Sequence, residues 1–302
     1  MKVICPPDGL EIWARLASKY VGTREQERDY WRSVTELIRP PKAVALELAH
    51  RDELTIDLIY LLKSIEGTAL HEALMSVAKD NELVHTRIKT EFCGKIISGE
   101  PDLVVIEPDG CIVVDFKRIK AVSLLYSKPD YEAQLNMYAW LIQRELKLKV
   151  KALRLEVRVS DWSEIEARRD SRYPDSPLLV VPVDIWPYAK TEEFVESRIR
   201  YHEAVEKELQ EGNTEPRCND EERWARGGYW CLVNAKGRAL PRAKFNTEQE
   251  AKAAQEVRGG TLQYRPAKSM RCSPHGDYSG CLARFWCTQY QMEIEPDEFM
   301  EE

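Results

Sequence analysis

No apolar run in this 302-residue chain is long enough to cross a bilayer; the longest, such as Leu178 to Val183, fall far short. The opening MKVICPPDGLEIW holds no apolar h-region. No secretory signal or membrane partner is therefore expected, and a cytoplasmic location is. The chain also lacks a positive balance. Its 44 Lys and Arg face 51 Asp and Glu, a formal net charge of -7, which argues against coating nucleic acid by bulk charge. It has no internal repeat, no low-complexity segment, no Ser-His-Asp constellation and no phosphate-binding loop. What is present is ordinary globular material. Hydrophobic residues make up 43% and charged residues 31%, enough for one large domain with a modest appendage. Eight cysteines in a cytoplasmic chain are expected to be reduced thiols or metal ligands rather than a disulfide framework.

Residues 11–64 read as helical, with Ile12, Trp13, Leu16 and Tyr20 at helical spacing and a break at Pro40-Pro41. A further helix is expected over about 65–79, its apolar face made of Leu70, Leu74 and Val77 with His71 beside it. The texture changes near Val84. Leu103 to Ile106 and Cys111 to Phe116 are β-rich runs joined by Pro108-Asp109-Gly110, which predicts an antiparallel hairpin. A helix follows over about 131–145. Alternation through Leu153, Leu155, Val157 and Val159 predicts a half-exposed strand. The run 178–183 reads as a strand, and Pro182 favours a sheet edge. A long helix should fill about 191–210. The expected fold class is α/β: a mixed β-sheet flanked by helices, with a small α+β appendage carrying cysteines. The boundaries follow as a helical N-terminal region over 1–64, the core over 65–211 and the appendage over 212–302. No separate recognition domain is legible.

The chemistry concentrates in Gly99-Glu100-Pro101-Asp102 and Asp115-Phe116-Lys117. Antiparallel pairing brings Asp102, at the start of one strand, to Asp115, near the end of its neighbour. Asp115 and Lys117 are two apart, so they share a face. Two carboxylates and the Phe116 carbonyl suit magnesium or manganese, and Lys117 could orient water or stabilise developing negative charge. D-x-K on its own occurs often by chance. His71, on Gly67-Thr68-Ala69-Leu70-His71, could add an imidazole ligand, with Gly67 allowing close approach of helix to sheet. Gln134 and Tyr138, four apart on the later helix, share a face. Lys117, Arg118, Lys120 and Lys128 could form a local basic path or an ordinary solvated face.

In order and at these spacings, Gly67…His71, Gly99…Asp102, Asp115…Lys117 and Gln134…Tyr138 resemble the RecB-like branch of the PD-(D/E)XK nucleases. The four motifs cover about residues 65–145. Ser33 to Ile38, Asp161-Trp162-Ser163, Arg172-Tyr173-Pro174 and Glu221 to Trp224 are similar to phage-encoded members, which would place the chain in a host cytoplasm. The resemblance implies a restriction-endonuclease-like core and a magnesium- or manganese-dependent deoxyribonuclease, read as an exonuclease in DNA replication, recombination or processing. DNA is the implied partner, with recombination or replication proteins as further candidates. By it His71, Asp102, Asp115 and the Phe116 carbonyl hold the metal, Lys117 is the catalytic lysine, and Gln134 and Tyr138 complete the site. Glu91 is a weaker candidate. The competing readings are a silent nuclease fold that only binds DNA, and an endonuclease.

Cys272, Cys281 and Cys287 cluster near the C-terminus, with Cys218 earlier. They are similar to the cysteines of RecB-like nucleases that carry an iron-sulfur cluster, which implies a [4Fe-4S] group on thiolates. The eight residues between Cys272 and Cys281 depart from that pattern, and Cys5 rivals Cys218 as fourth ligand. Zinc on Cys272, His275, Cys281 and Cys287 and plain burial stay open. Cys93, Cys111 and Cys231 lie in strand-like runs and are expected to be core.

Overall fold

The computed structural model describes residues 1–4, 11–22, 28–125, 129–213, 216–275 and 278–293. Cys5 and Lys128 lie outside the described residues. Two compact units divide the chain, Met1–Pro216 and Arg217–Glu302. Among the described residues no helix is long and apolar enough to cross a membrane.

The first unit begins with β1 (Lys2–Ile4), α1 (Glu11–Gly22), β2 (Arg32–Ser33), α2 (Val34–Ile38), α3 (Pro41–Ala49) and β3 (Thr55–Asp57). Then come α4 (Leu58–Met75), β4 (Glu82–Leu83), β5 (Ile88–Phe92), β6 (Lys95–Gly99), β7 (Leu103–Glu107) and β8 (Gly110–Ile119). It ends with α5 (Pro129–Leu141), β9 (Val150–Val159), α6 (Glu164–Arg169), β10 (Leu178–Val183) and α7 (Tyr188–Gln210). The main sheet runs β10-β9-β8-β7-β4. Only the β8–β9 pair is parallel, so the sheet is mixed. A second sheet, β2-β6-β5, and the pair β1-β3 complete the unit. The α/β class read from the sequence is the observed one, and β10 lies at the sheet edge.

At the centre of this unit lies α5. Every residue from Leu135 to Ile142 is buried, so this helix is enclosed on all sides rather than amphipathic. Fully burying each large apolar side chain here contributes roughly 1.5–3 kcal/mol. Asn136, the polar exception, is saturated. Its amide donates to the Glu132 and Asp184 carbonyls at 2.9 and 3.0 Å and accepts from Trp186 N–H at 2.7 Å. The short helix α2 is pinned at both ends. Ser33 and Glu36 form a capping box, and Arg198 Nε on α7 donates to the Leu37 carbonyl at 2.6 Å. Asp161-Trp162-Ser163 and Arg172-Tyr173-Pro174 lock together: Trp162 Nε1 donates to Pro174 O at 2.8 Å, and Tyr173 OH to Asp161 O at 2.9 Å.

Several expectations are corrected. The region 11–64 holds α1, α2, α3 and the first turns of α4, with β2 before α2 and β3 before α4. Its Ile12, Trp13 and Leu16 are exposed, whereas Ala17 and Tyr20 are buried. α4 starts at Leu58, not near residue 65, because Asp57 caps it: Ile59 N–H donates to Asp57 Oδ1 at 3.0 Å. It ends at Met75; its buried side holds Leu58, Leu61, Ile65 and Met75, while Leu74 and, past the helix end, Val77 are exposed. Cys93 is also exposed. It sits at a turn with φ +50, whereas Cys111 and Cys231 are buried as expected.

The second unit holds β11 (Ala225–Val233), β12 (Ala239–Phe245), α8 (Glu248–Arg258), β13 (Thr261–Ser269) and α9 (Thr288–Glu293). Its sheet, β12-β11-β13, is antiparallel throughout. Thr247 and Glu250 form a capping box on α8. The helix contacts all three strands, where Leu232, Ala243 and Ala251 are fully buried.

Candidate active site

The β7–β8 hairpin sets the site. Its ladder ends with Leu103 opposite Val114, which leaves Asp102 and Asp115 facing each other across the next step. The Asp102 carboxylate accepts from Phe116 N–H at 2.7 Å. Its other oxygen lies 2.9 Å from His71 Nε2 on α4. The His71 ring also meets the Phe116 ring edge-on, with centroids 6.1 Å apart.

In the same cleft, Asp115 is 1% exposed. Lys117 Nζ lies 2.5 Å from its Oδ2 and donates to Gln134 Oε1 at 3.3 Å. Gln134 Nε2 in turn donates to Tyr138 OH at 3.0 Å. The Lys117 ammonium also sits over the Tyr131 ring, 5.1 Å from its centroid. The structure therefore brings together His71, Asp102, Asp115, Phe116, Lys117, Gln134 and Tyr138. All seven line one cleft of about 800 Å³. Glu91, exposed on β5, is not among the lining residues.

The electrostatics follow from burial and charge pairing. Burial pushes the Asp115 carboxyl up, against the pull of Lys117, and Asp102 adds to the rise. Burial would lower the Lys117 ammonium, but Asp115 more than offsets it, so Lys117 is held charged. The Asp102 contact raises the His71 imidazole. Burial pushes the Tyr138 phenol up and keeps its proton.

Both Asp115 oxygens and His71 Nε2 are buried without a hydrogen-bond partner among the described residues. Their near neighbours lie close but off the hydrogen-bond axis. Orphaned buried acceptors are costly, and a hard cation satisfies them. As the side chains stand, they touch in pairs, and among the described residues no three His, Cys, Asp or Glu close on one point. The donor chemistry of His71, Asp102, Asp115 and the Phe116 carbonyl nevertheless fits magnesium or manganese in a mixed N/O set.

Gly67 behaves unlike its sequence reading. A Cβ on Gly67 would meet open space, so Gly67 widens the cleft instead of admitting helix to sheet. The close approach belongs to Gly99. A Cβ there would come within 2.4 Å of Leu141 Cδ1 and 3.1 Å of Tyr138 Cδ1. The sequence reading also missed Tyr131 and Arg158. Tyr131 precedes Gln134 by three and Tyr138 by seven, a helical spacing that could have revealed it. Arg158 lies opposite Arg118 on β9 and lines the cleft, exposed. Of the supposed basic path, Lys117 is paired with Asp115 and Arg118 with Glu66 at 2.8 Å.

In the second unit Cys218, Cys272, Cys281 and Cys287 are half-buried. Burial pushes the Cys218 thiol up to about 12, and Glu222 and the other three cysteines act on it in the same direction. The Gln289 side chain bonds both Cys218 N and O at 2.9 Å. Cys281 N–H donates to Cys272 O at 3.1 Å. His275 is exposed, with Nδ1 3.1 Å from Ser273 O.

A mixed sheet thus presents two aspartates and a lysine in one cleft, a candidate hydrolytic site. The family model of the PD-(D/E)XK nuclease superfamily matches residues 14–288, and the chain belongs to that superfamily. One solved structure, "Crystal structure of SSO0001", is similar over 63% of this chain and 86% of that chain, at 18% identity and a TM-score of 0.45. No curated protein matches the chain in sequence.

Proposed function

We propose that the chain is a magnesium- or manganese-dependent deoxyribonuclease of the RecB-like branch that digests DNA from ends, in phage-type replication, recombination or processing. One observation carries this reading: Asp115, buried with neither oxygen in an aligned hydrogen bond among the described residues, is ion-paired with a charged Lys117 in the cleft that also holds His71 and Asp102. A bound divalent cation supplies neutralisation of the phosphate and a more acidic water. His71, Asp102, Asp115 and the Phe116 carbonyl would hold it. Lys117 offers a fixed positive charge where negative charge develops. Gln134 and Tyr131 hold the ammonium in place, and Tyr138 orients Gln134. The four cysteines of the second unit are read as the seat of a structural [4Fe-4S] cluster, with zinc as the competitor; iron content and visible absorbance separate the two.

End-labelled linear DNA and closed circular DNA, each with magnesium or manganese, test the reading. Loss of linear DNA with survival of the circle supports end-directed hydrolysis. Cutting of the circle turns the mode to endonuclease. No cutting of any DNA by metal-loaded protein sinks the enzyme reading.

A further inference from the structure

The second unit's sheet has a charge pattern that the active site does not use. Strands β11, β12 and β13 and the turn between the first two carry seven Lys or Arg and no Asp or Glu. The carboxylates of this module, Glu248, Glu250 and Glu256, are confined to α8. That segregation runs against a chain whose net charge is -7.

The pairing register sorts the faces. Tyr229 lies opposite Arg265, and Cys231 lies between Lys244 and Gln263. Alternation therefore puts Tyr229, Cys231, Lys244, Gln263 and Arg265 on one face, with Cys231 buried at its floor beneath the longer side chains. Leu232 and Ala243, buried, belong to the opposite side. Lys244 and Gln263 are exposed, as are Lys236 and Arg238 in the adjoining turn. That turn is closed on itself: Asn234 Oδ1 accepts from Lys236 N–H at 2.9 Å and Arg238 N–H at 3.1 Å. Arg265 reaches across the face to the Gly237 carbonyl at 3.1 Å. Among the described residues, none of Lys236, Arg238, Lys244 and Arg265 is ion-paired with a carboxylate.

We propose that this basic face of the β12-β11-β13 sheet is a docking surface for the phosphate backbone of duplex DNA. Unpaired cations on a preset sheet match a polyanion and release counterions on contact. The face offers no free ring for unstacked bases, because Lys244 Nζ already covers Tyr229, 4.8 Å from its centroid. Backbone contact rather than base stacking is what remains, and it is insensitive to sequence. The choice of DNA rests on the nuclease reading; the surface itself does not.

The test compares the full chain with its Lys236→Gln/Arg238→Gln/Lys244→Gln variant on labelled duplex DNA, in chelator, across a salt series. None of these side chains holds the fold together, and thermal unfolding of both proteins checks that. The expected result is a weakening by about tenfold or more at moderate salt, the same for unrelated sequences, with the log–log salt slope smaller by about 3. Equal affinity and slope for both proteins would overturn the proposal. So would displacement of DNA by polyglutamate at matched charge, which would make the face a generic acidic-protein site. Because binding is read without metal, failure of the wild type to cut DNA leaves this result standing, and the two readings fail separately.

Discussion

Positive charge is handled in opposite ways in the two units. In the first, several cations are paired with carboxylates and wholly or partly buried. Arg28 meets Glu36 at 2.6 Å, Lys117 meets Asp115 at 2.5 Å, and the buried Arg32 is ion-paired with Glu206. In the second, Lys236, Arg238 and Lys244 stand exposed and without a carboxylate partner among the described residues. Net charge averages the two and conceals both. The first unit's charges are largely neutralised by one another; the second unit's sheet cations are left without carboxylates.

The largest effect expected from that contrast is on turnover. Lys117→Met and Asp115→Asn should each lower kcat by about 10²–10⁴-fold, while binding to duplex DNA in chelator stays within about twofold. If either substitution instead moves the salt slope of binding, the division of labour between the units is wrong. Stability gives the next largest difference. Arg32→Gln strands Glu206 and should cost about 3 kcal/mol in chemical denaturation. Lys244→Gln, exposed and unpaired, should stay within about 0.5 kcal/mol. Similar losses from both would mean that the sheet cation is structural.

The sequence revealed these two halves unequally. The hairpin was legible because Pro108-Asp109-Gly110 punctuates two β-rich runs, and pairing then forces Asp102 to Asp115. His71, Gln134 and Tyr138 were legible as motif residues, and all three line the cleft. The faces of the helices were not. Periodicity placed Leu74 and Val77 in the core of α4, yet both are exposed; apolar spacing tells that a helix has a stripe, not what covers it. α5 hid its central place because burial on all sides leaves no stripe to read. Gly67 and Gly99 look alike in a motif, and only the neighbours at 2.4 Å decide which one is sterically required. The basic sheet was hidden by register: Lys244 and Arg265 are distant in sequence and meet only across β11.

A smaller effect, dependent on pH, sharpens the picture of the first unit. His202 is 1% exposed. Its Nε2 donates to the Leu37 carbonyl at 3.1 Å, and its buried Nδ1 has no partner among the described residues. Burial, then the Arg198 charge, pulls the imidazole down to about 3. The unfolded chain takes up this proton near pH 6.5 while the folded one refuses it. The stability His202 contributes is therefore full above about pH 6.5 and is lost as pH falls toward 3, by a few kcal/mol in the limit. Denaturant midpoints should fall across that window, and His202→Gln should flatten the curve. The sheet of the second unit, without histidine, has no such handle.

The smallest effect separates the cleft from the sheet. Gly67 is a helix-interior glycine whose Cβ position is empty. Gly67→Ala should raise stability by roughly 0.5–1 kcal/mol, since alanine loses less backbone entropy in a helix. The added methyl projects into the cleft that holds His71 and Asp102. If DNA passes through that cleft, kcat/KM should drop a few-fold while the thermal midpoint rises. Duplex binding in chelator, carried by the sheet, should not change. A variant that is more stable and equally active would show that the Gly67 wall is not on the substrate's path. A variant that also lost binding in chelator would move the main DNA contact from the sheet into the cleft.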